Sequence, residues 1–439
     1  MSPAALTSRG RQWLGTDGLP LHAHGGGVLL ARGRFWWVGE SEKLQDDTRH
    51  HVRCYSSVDL LEWRDEGVVL RNQQVRGLDG EEARDGWVIE RPKLLFNRHT
   101  GLFVMWFHLE NHARYTLNAA GVATSDAPCG PYTFRHTLRA GGLRSLDASL
   151  FQDQHYAYRV MDVEHKTVVI MRLSADYLNI TGPPVAVPAH AREAPVLFRF
   201  RGRYWLATSG ITWWNPNPTI VHEAPSLRGP WRSIGSPFNH SGGGGARWSN
   251  AANSYRSQPN FVLVYETTKG NEAAVWMSDR WCPNGDVCAR PWCECLLGAS
   301  YLWLPVRWHA SQPRRLTVEL VPRWRPAAPR LPAASDMMGR ESAQPERLPP
   351  LPPNPPMPPP PPPSPPRFAQ CEAWCRKNPE DWAAKCGWDT LACAACLQCR
   401  PGGPSSGAGG GRGSGKAKRT RKKPKPRRDR EGYESARVD

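Results

Sequence analysis

Arg192-Glu193-Ala194-Pro195-Val196-Leu197-Phe198, followed by Gly202-Arg203-Tyr204-Trp205-Leu206, sets a carboxylate before an apolar strand, then a turn, then an aromatic strand running back. The layout occurs four more times. His24 leads Gly25 to Leu30 and then Phe35-Trp36-Trp37. Glu90 leads Arg91 to Phe96 and then Leu102 to Trp106. Asp147 leads Ala148 to Phe151 and then Tyr156-Ala157-Tyr158. Gln258 leads Pro259-Asn260 and then Phe261 to Tyr265. The leading positions are 66, 57, 46 and 65 residues apart. A regular internal pattern on irregular spacing predicts propeller blades, each a small antiparallel sheet with loops of variable length. The downstream halves repeat as well: Tyr55 to Trp63 resembles Thr124 to Tyr132 and Ala224 to Trp231. The innermost strand of a blade lines the central channel. His24, Glu90, Asp147, Glu193 and Gln258 are therefore expected at one repeat-equivalent position, meeting at one mouth. Taken singly, each is an ordinary polar residue at a strand edge; the pattern lies in the five together.

The expected fold is all-β: a five-bladed β-propeller over residues 12–330. A proline-rich linker (331–367), a small cysteine-rich module (368–400) and a disordered Gly/Ser-rich and basic tail (401–439) follow it. The 20 Trp fall mostly in the first region, where aromatic strands and Gly turns fit an all-β domain. Residues 1–11 are expected to be disordered. Thr317 to Val321 is expected to supply a strand that closes the ring with one from the other end. Pro349 to Pro366 is nearly all proline and reads as extended polyproline II, a semi-rigid spacer. The net charge of +17 is largely local, because Gly411 to Arg430 holds eleven Lys or Arg against one Asp. It describes a tail that can bind acidic polymers and not the main domain.

Twelve cysteines fall into two even sets and two singles. Cys282, Cys288, Cys293 and Cys295 lie in a loop inserted between two strands. Cys371, Cys375, Cys386, Cys393, Cys396 and Cys399 form the second set, which a unit this small needs for folding. Even numbers favour disulfides and an oxidising compartment, with zinc as the rival for the second set. Cys54 and Cys129 read as buried singles. Asn179-Ile180-Thr181 and Asn239-His240-Ser241 are glycosylation triplets. No stretch is long enough to span a membrane, and Met1 to Gly10 lacks the apolar core of a signal peptide. An extracellular or secretory-pathway location is expected nonetheless, with a leader missing from the sequence. A monomer is expected.

Asp17-Gly18, Ala23 to Gly27, Trp37-Val38-Gly39-Glu40, Cys54 to Ser57, Glu90 to Lys93, Ser145-Leu146-Asp147, Glu193-Ala194-Pro195, Ser209 to Asn217, Ser257-Gln258 and Trp303-Leu304-Pro305 form an ordered set. In that order they resemble glycoside hydrolase family 43, most closely its exo-β-1,3-galactanase branch. The resemblance implies a five-bladed propeller and a single-displacement, inverting hydrolysis. That chemistry needs a protonated carboxyl for the leaving oxygen and a base for water on the other face. By resemblance Glu193 matches the general acid, and Asp147 matches the carboxylate that raises its pKa and orients it. Most of the family has an Asp at the start of the first blade, where this chain reads His22-Ala23-His24-Gly25. In the galactanase branch the last blade supplies the water-directing group, and Gln258 fits that position; Glu90 is the other candidate base.

Glu90, Glu40, Tyr115 and Thr212 match sugar-contacting positions, and Trp213 with Trp214 offers a stacking face. His24 joins the substrate side through the five-residue cluster. No cofactor or metal is implied. The sequence departs from the family at Glu164-His165-Lys166-Thr167, where Asn is common. The expected activity is exo-acting hydrolysis of β-1,3-galactosidic bonds in galactan or arabinogalactan, a polysaccharide substrate. A weakly active or inactive carbohydrate-binding propeller, or an arabinofuranosidase or xylosidase of the same family, are the alternatives.

Overall fold

The computed structural model describes residues 6–7, 12–41, 50–84, 86–111, 115–153, 156–238, 251–282, 296, 298–309, 315–321 and 323–331. The linker, the cysteine-rich module, the basic tail, the Gly242 to Gly245 run and Cys288, Cys293 and Cys295 lie outside these residues.

Strand β1 (Leu6–Thr7) precedes five four-stranded antiparallel meanders. Blade I holds β2 (His24–Ala31), β3 (Arg34–Glu40), β4 (Val52–Ser57) and β5 (Arg64–Leu70). Blade II holds β6 (Val88–Asn97), β7 (Leu102–Glu110), β8 (Ala119–Ser125) and β9 (Thr133–Leu138). Blade III holds β10 (Ser145–Gln152), β11 (Ala157–Val163), β12 (Thr167–Leu173) and β13 (Ile180–Val187). Blade IV holds β14 (Glu193–Phe200), β15 (Arg203–Ser209), β16 (Ile220–Ala224) and β17 (Arg232–Gly235). Blade V holds β18 (Gln258–Glu266), β19 (Glu272–Arg280), β20 (Ser300–His309) and β21 (Arg315–Val318), and β22 (Arg323–Trp324) follows. The innermost strands β2, β6, β10, β14 and β18 touch in a ring, and the chain is the expected five-bladed propeller.

Five separate apolar clusters fill the five gaps between neighbouring blades. Between blades II and III, for example, Leu95, Val104 and Trp106 meet Leu150 and Met161. The gap between blades V and I is aromatic: Trp37 packs edge-on against Trp63, Tyr301 and Trp303 at ring distances of 5.1, 4.7 and 4.9 Å. Trp63, Trp106, Trp205 and Trp276 are all buried. These Trp residues therefore hold blades together, since edge-to-face contacts add to the apolar area they remove from water.

Three expectations need correction. Thr317 and Val318 do not close the ring; β21 pairs with β20 of its own blade, Val318 opposite Val306. The ends are tied by the short pair β1–β22, Leu6 opposite Trp324 and Thr7 opposite Arg323. That pairing also gives order to two residues of the segment expected to have none, because Leu6 buries itself in the blade V–blade I cluster. Cys54 and Cys129 are not single: they form one disulfide across 75 residues, joining β4 to the β8–β9 connection of the next blade. Two cysteines so far apart in sequence carried no spacing signal. Cys282 is also disulfide-bonded.

Because the Cys54–Cys129 link closes a long loop between blades, replacing both cysteines by Ala is expected to lower stability by about 2–4 kcal/mol. Denaturant unfolding of both forms tests this; an unchanged midpoint would show that blade packing alone holds the gap.

Candidate active site

Each innermost strand breaks its pairing with the second strand near its start. The register slips between His24 and Gly27, Glu90 and Lys93, Ser145 and Ala148, Glu193 and Val196, and Pro259 and Phe261. Such bulges bend a strand and re-aim its side chains. Gly25, Arg91 and Ala194 take positive φ there, 60°, 50° and 51°. The equivalent position, three residues before pairing resumes, is held by His24, Glu90, Ser145, Glu193 and Gln258. Asp147 is thus not equivalent to the other four: it sits inside its bulge, two residues further along. That displacement lets its Oδ2 accept the N–H of Ala194 at 3.0 Å, next to Glu193.

One pocket at the mouth of the channel is lined by Glu40, Glu90, Tyr115, Asp147, Glu193, Trp213 and Gln258. Arg91, His108, Leu146, His165, Trp214 and Trp281 complete its wall. His24 and Thr212 do not line it. His24 is drawn behind the wall, 2% exposed, where its ring stacks on Tyr301 at 4.8 Å. The Thr212 hydroxyl is used within its own loop, donating to the Asn215 carbonyl and accepting from Asn217 Nδ2, both at 2.7 Å.

Arg91 is the hub. Its Nε lies 2.9 Å from Asp147 Oδ1. One terminal nitrogen donates to Gln258 Oε1 at 2.7 Å, and the other to Asn260 Oδ1 at 3.1 Å. A planar guanidinium with five donors can serve blades III and V from blade II in this way. Gln258 in turn donates from Nε2 to Glu193 Oε1 and to Ser209 Oγ, both at 3.0 Å, and accepts from Trp281 Nε1 at 2.8 Å.

The two carboxylates are driven apart. Burial, and then the charge of Asp147, push the Glu193 carboxyl up to about 8; His165 and Arg91 pull against them. Burial alone would raise Asp147 too, but Arg91, His108, His165 and the Ala194 N–H outweigh it and hold it below the usual carboxylate range. At neutral pH Glu193 is therefore a loaded acid beside an ionised Asp147. Two carboxyl groups kept apart in this way can take separate acid–base tasks.

On another part of the wall Glu90 accepts from the Tyr115 hydroxyl at 2.6 Å, and its other oxygen lies 3.0 Å from His108 Nδ1. His108 Nε2 faces Glu110 at 3.4 Å. Burial opposes a charged imidazole, yet the bonds to Glu110 and Glu90 raise His108 to about 10. Below, Lys93 is buried with Nζ on the Gly25 carbonyl at 2.5 Å. The glycine run of blade I makes this room: a Cβ on Gly25 would meet Glu40 Oε1 at 2.3 Å, and one on Gly27 would meet Lys93 Cδ at 2.6 Å.

Glu90, His108 and Asp147 bring ligand atoms within 4.8 Å of one another. The set suits a cation poorly, because His108 carries the charge already and Asp147 is paired with Arg91.

Sequence reading missed His108, Arg91, His165 and Trp281 as site residues. Strand pairing holds the signal for the first, since His108 stands opposite Glu90 in the β6–β7 register.

The family model for glycosyl hydrolases family 43 matches residues 30–277. The chain belongs to glycoside hydrolase family 43. Solved structures of similar shape are consistent with that membership. A family 43 β-1,3-galactosidase, solved with galactodeoxynojirimycin, is 30% identical over 73% of this chain and 100% of its own, with a TM-score of 0.63. An exo-β-1,3-galactanase from Phanerochaete chrysosporium, with β-1,3-galactotriose, is 29% identical over 74% of this chain and 68% of its own, with a TM-score of 0.61. Another from Clostridium thermocellum is 29% identical over 72% of this chain and 64% of its own, with a TM-score of 0.60. No curated protein matches the chain. Family 43 membership makes the chain a glycoside hydrolase.

Proposed function

We propose that this family 43 protein removes terminal galactose from β-1,3-galactan or arabinogalactan backbones, with inversion at the anomeric carbon. The observation that carries the reading is the split dyad: a protonated Glu193 beside an ionised Asp147 in one buried pocket. The activities named for its structural neighbours supply the sugar.

In this reading Glu193 protonates the leaving oxygen. Asp147 keeps the acid loaded and fixes its strand. Glu90, with Tyr115, binds hydroxyls of the terminal galactose, Glu40 lines the same end, and Trp213, 54% exposed, offers its face to the next sugar. Gln258 directs the water. An inverting pair stands about 6.5–9.5 Å apart, with sugar and water between. The 3.0 Å bond between Gln258 and Glu193 must therefore open as the sugar enters. Both amide hydrogens and the amide oxygen are engaged until then, so the water site forms only with substrate.

The disulfide between Cys54 and Cys129 supports an oxidising compartment. Among the described residues no helix is long and apolar enough to cross a membrane.

The test is NMR of products from β-1,3-galactooligosaccharides with the full-length protein, beside Gln258→Ala and Glu90→Gln. Release of α-galactose, lowered by at least about 100-fold in Gln258→Ala, is expected. Release that survives Gln258→Ala but not Glu90→Gln moves the base to Glu90. Binding without release would make the propeller a carbohydrate-binding module, a reading favoured only by the missing first-blade Asp.

A further inference from the structure

The β11–β12 hairpin turns at Glu164 and His165, both with positive φ, 50° and 54°. Two such residues in succession give the turn whose twist suits an antiparallel hairpin. The turn delivers His165 to the pocket wall. Asp162, fully buried, grips it twice: Oδ1 accepts the His165 N–H at 2.8 Å, and Oδ2 lies 2.5 Å from Nδ1. The same Nδ1 is 4.0 Å from Glu193 Oε2.

We propose that His165, clamped by Asp162, is a positioning residue for the acid: its ring, 4.0 Å from Glu193, lowers the upper pH limit of catalysis. A neutral side chain in its place cannot do this. The inference rests on Glu193 being the general acid.

The charges around the pair are few. Glu193 faces Asp147 from β10, Arg91 from β6, and His165 and Asp162 from the hairpin; Gln258 from β18 brings a neutral amide. Arg192, next to it in sequence, also feels the Glu193 charge, although its terminal nitrogen donates to the carbonyls of Thr208 and Pro218. His165 faces Asp162, Glu193 and Asp147. Its turn neighbours are occupied elsewhere, Glu164 with Lys166 at 3.1 Å and with Arg144 at 3.4 Å. Burial opposes the imidazolium, but the bond to Asp162 and its charge win and raise the His165 pKa. Of the charges that pull the Glu193 pKa down, His165 is the strongest, ahead of Arg91; Asp162 pushes up by less.

The experiment compares wild type, His165→Gln and Asp162→Asn/His165→Gln, all full-length, in two ways. One is kcat/KM against pH on β-1,3-galactotriose. The other is a carboxyl carbon NMR titration of labelled glutamate, with Glu193→Gln to assign the signal. His165→Gln is expected to move the alkaline limb and the Glu193 titration upward together by about one pH unit. The double variant moves both upward by less, since the buried Asp162 charge is lost as well. It leaves no buried carboxylate uncompensated and carries the test if the single variant does not fold. An unmoved limb with an unmoved Glu193 titration overturns the proposal. So does a rise in KM that is equal at every pH with the limb in place, which would make His165 only a sugar contact. If wild type cleaves no galactan, the functional reading fails, and the NMR titration alone then decides this inference.

Discussion

Glu193→Gln lowers kcat on β-1,3-galactotriose by about 10²–10⁴-fold, the usual worth of a placed general acid, and leaves sugar binding in place. The amide keeps the shape of the carboxyl and can still accept from Gln258 Nε2, so the pocket keeps its form. What is lost is the proton that burial and Asp147 hold on Glu193 up to about 8. Two controls separate this from damage. An aryl galactoside with a good leaving group needs little protonation and should lose much less. Calorimetric titration with galactotriose should give a similar Kd. A loss below tenfold on galactotriose would remove Glu193 from the acid role.

The same substitution should stabilise the protein at alkaline pH. The folded-state pKa of Glu193 lies above its ordinary 4.5, at about 8. Its cost to folding is absent below the ordinary value, grows between the two, and is full above the higher one. Glu193→Gln removes that cost, so the gain at pH 8–9 is ~2–4 kcal/mol and vanishes near pH 4. Thermal unfolding at both pH values reads it. Function is here paid for in stability, as expected where a carboxyl is kept protonated in a dry site.

The repeat of carboxylate, apolar strand, turn and aromatic strand made the blades legible, because each blade repeats the same burial demand. The residues that open innermost strands were legible for the same reason, and Glu90, Glu193 and Gln258 do reach one pocket. Position along the strand was less legible. Asp147 lies inside a bulge, and bulges depend on backbone angles that a one-dimensional pattern does not carry. His24 went astray because a polar residue at the right repeat position can turn its ring into the wall when a Tyr offers a stacking face. Arg91 and the Cys54–Cys129 bond act across blades, between residues far apart in the chain, whereas His108 meets Glu90 inside blade II. Contacts of that kind leave no local signature.

Arg91→Met should be the most damaging single change to the fold of the site. The Arg91 side chain is buried, and it bonds Asp147, Gln258, Asn260 and the Pro259 carbonyl, joining blade II to blades III and V. Removing one partner of a buried pair leaves the other charge uncompensated, which costs about 3–5 kcal/mol. The pH dependence identifies the cause. The Asp147 pKa is depressed in the folded state, so the stability it confers is present above its ordinary 3.8 and is lost as pH falls through the folded value. The deficit of Arg91→Met should therefore be large at pH 7 and shrink as acid protonates Asp147. Activity should fall by about 100-fold or more, since Gln258 loses the donor that fixes its amide oxygen and small misplacements of catalytic groups are costly. Arg91→Lys keeps the charge but not the fork, and should restore more stability than activity. A deficit of equal size at pH 7 and pH 3 would mean that Arg91 matters through packing alone, and that the charge pattern of the dyad is set by other groups.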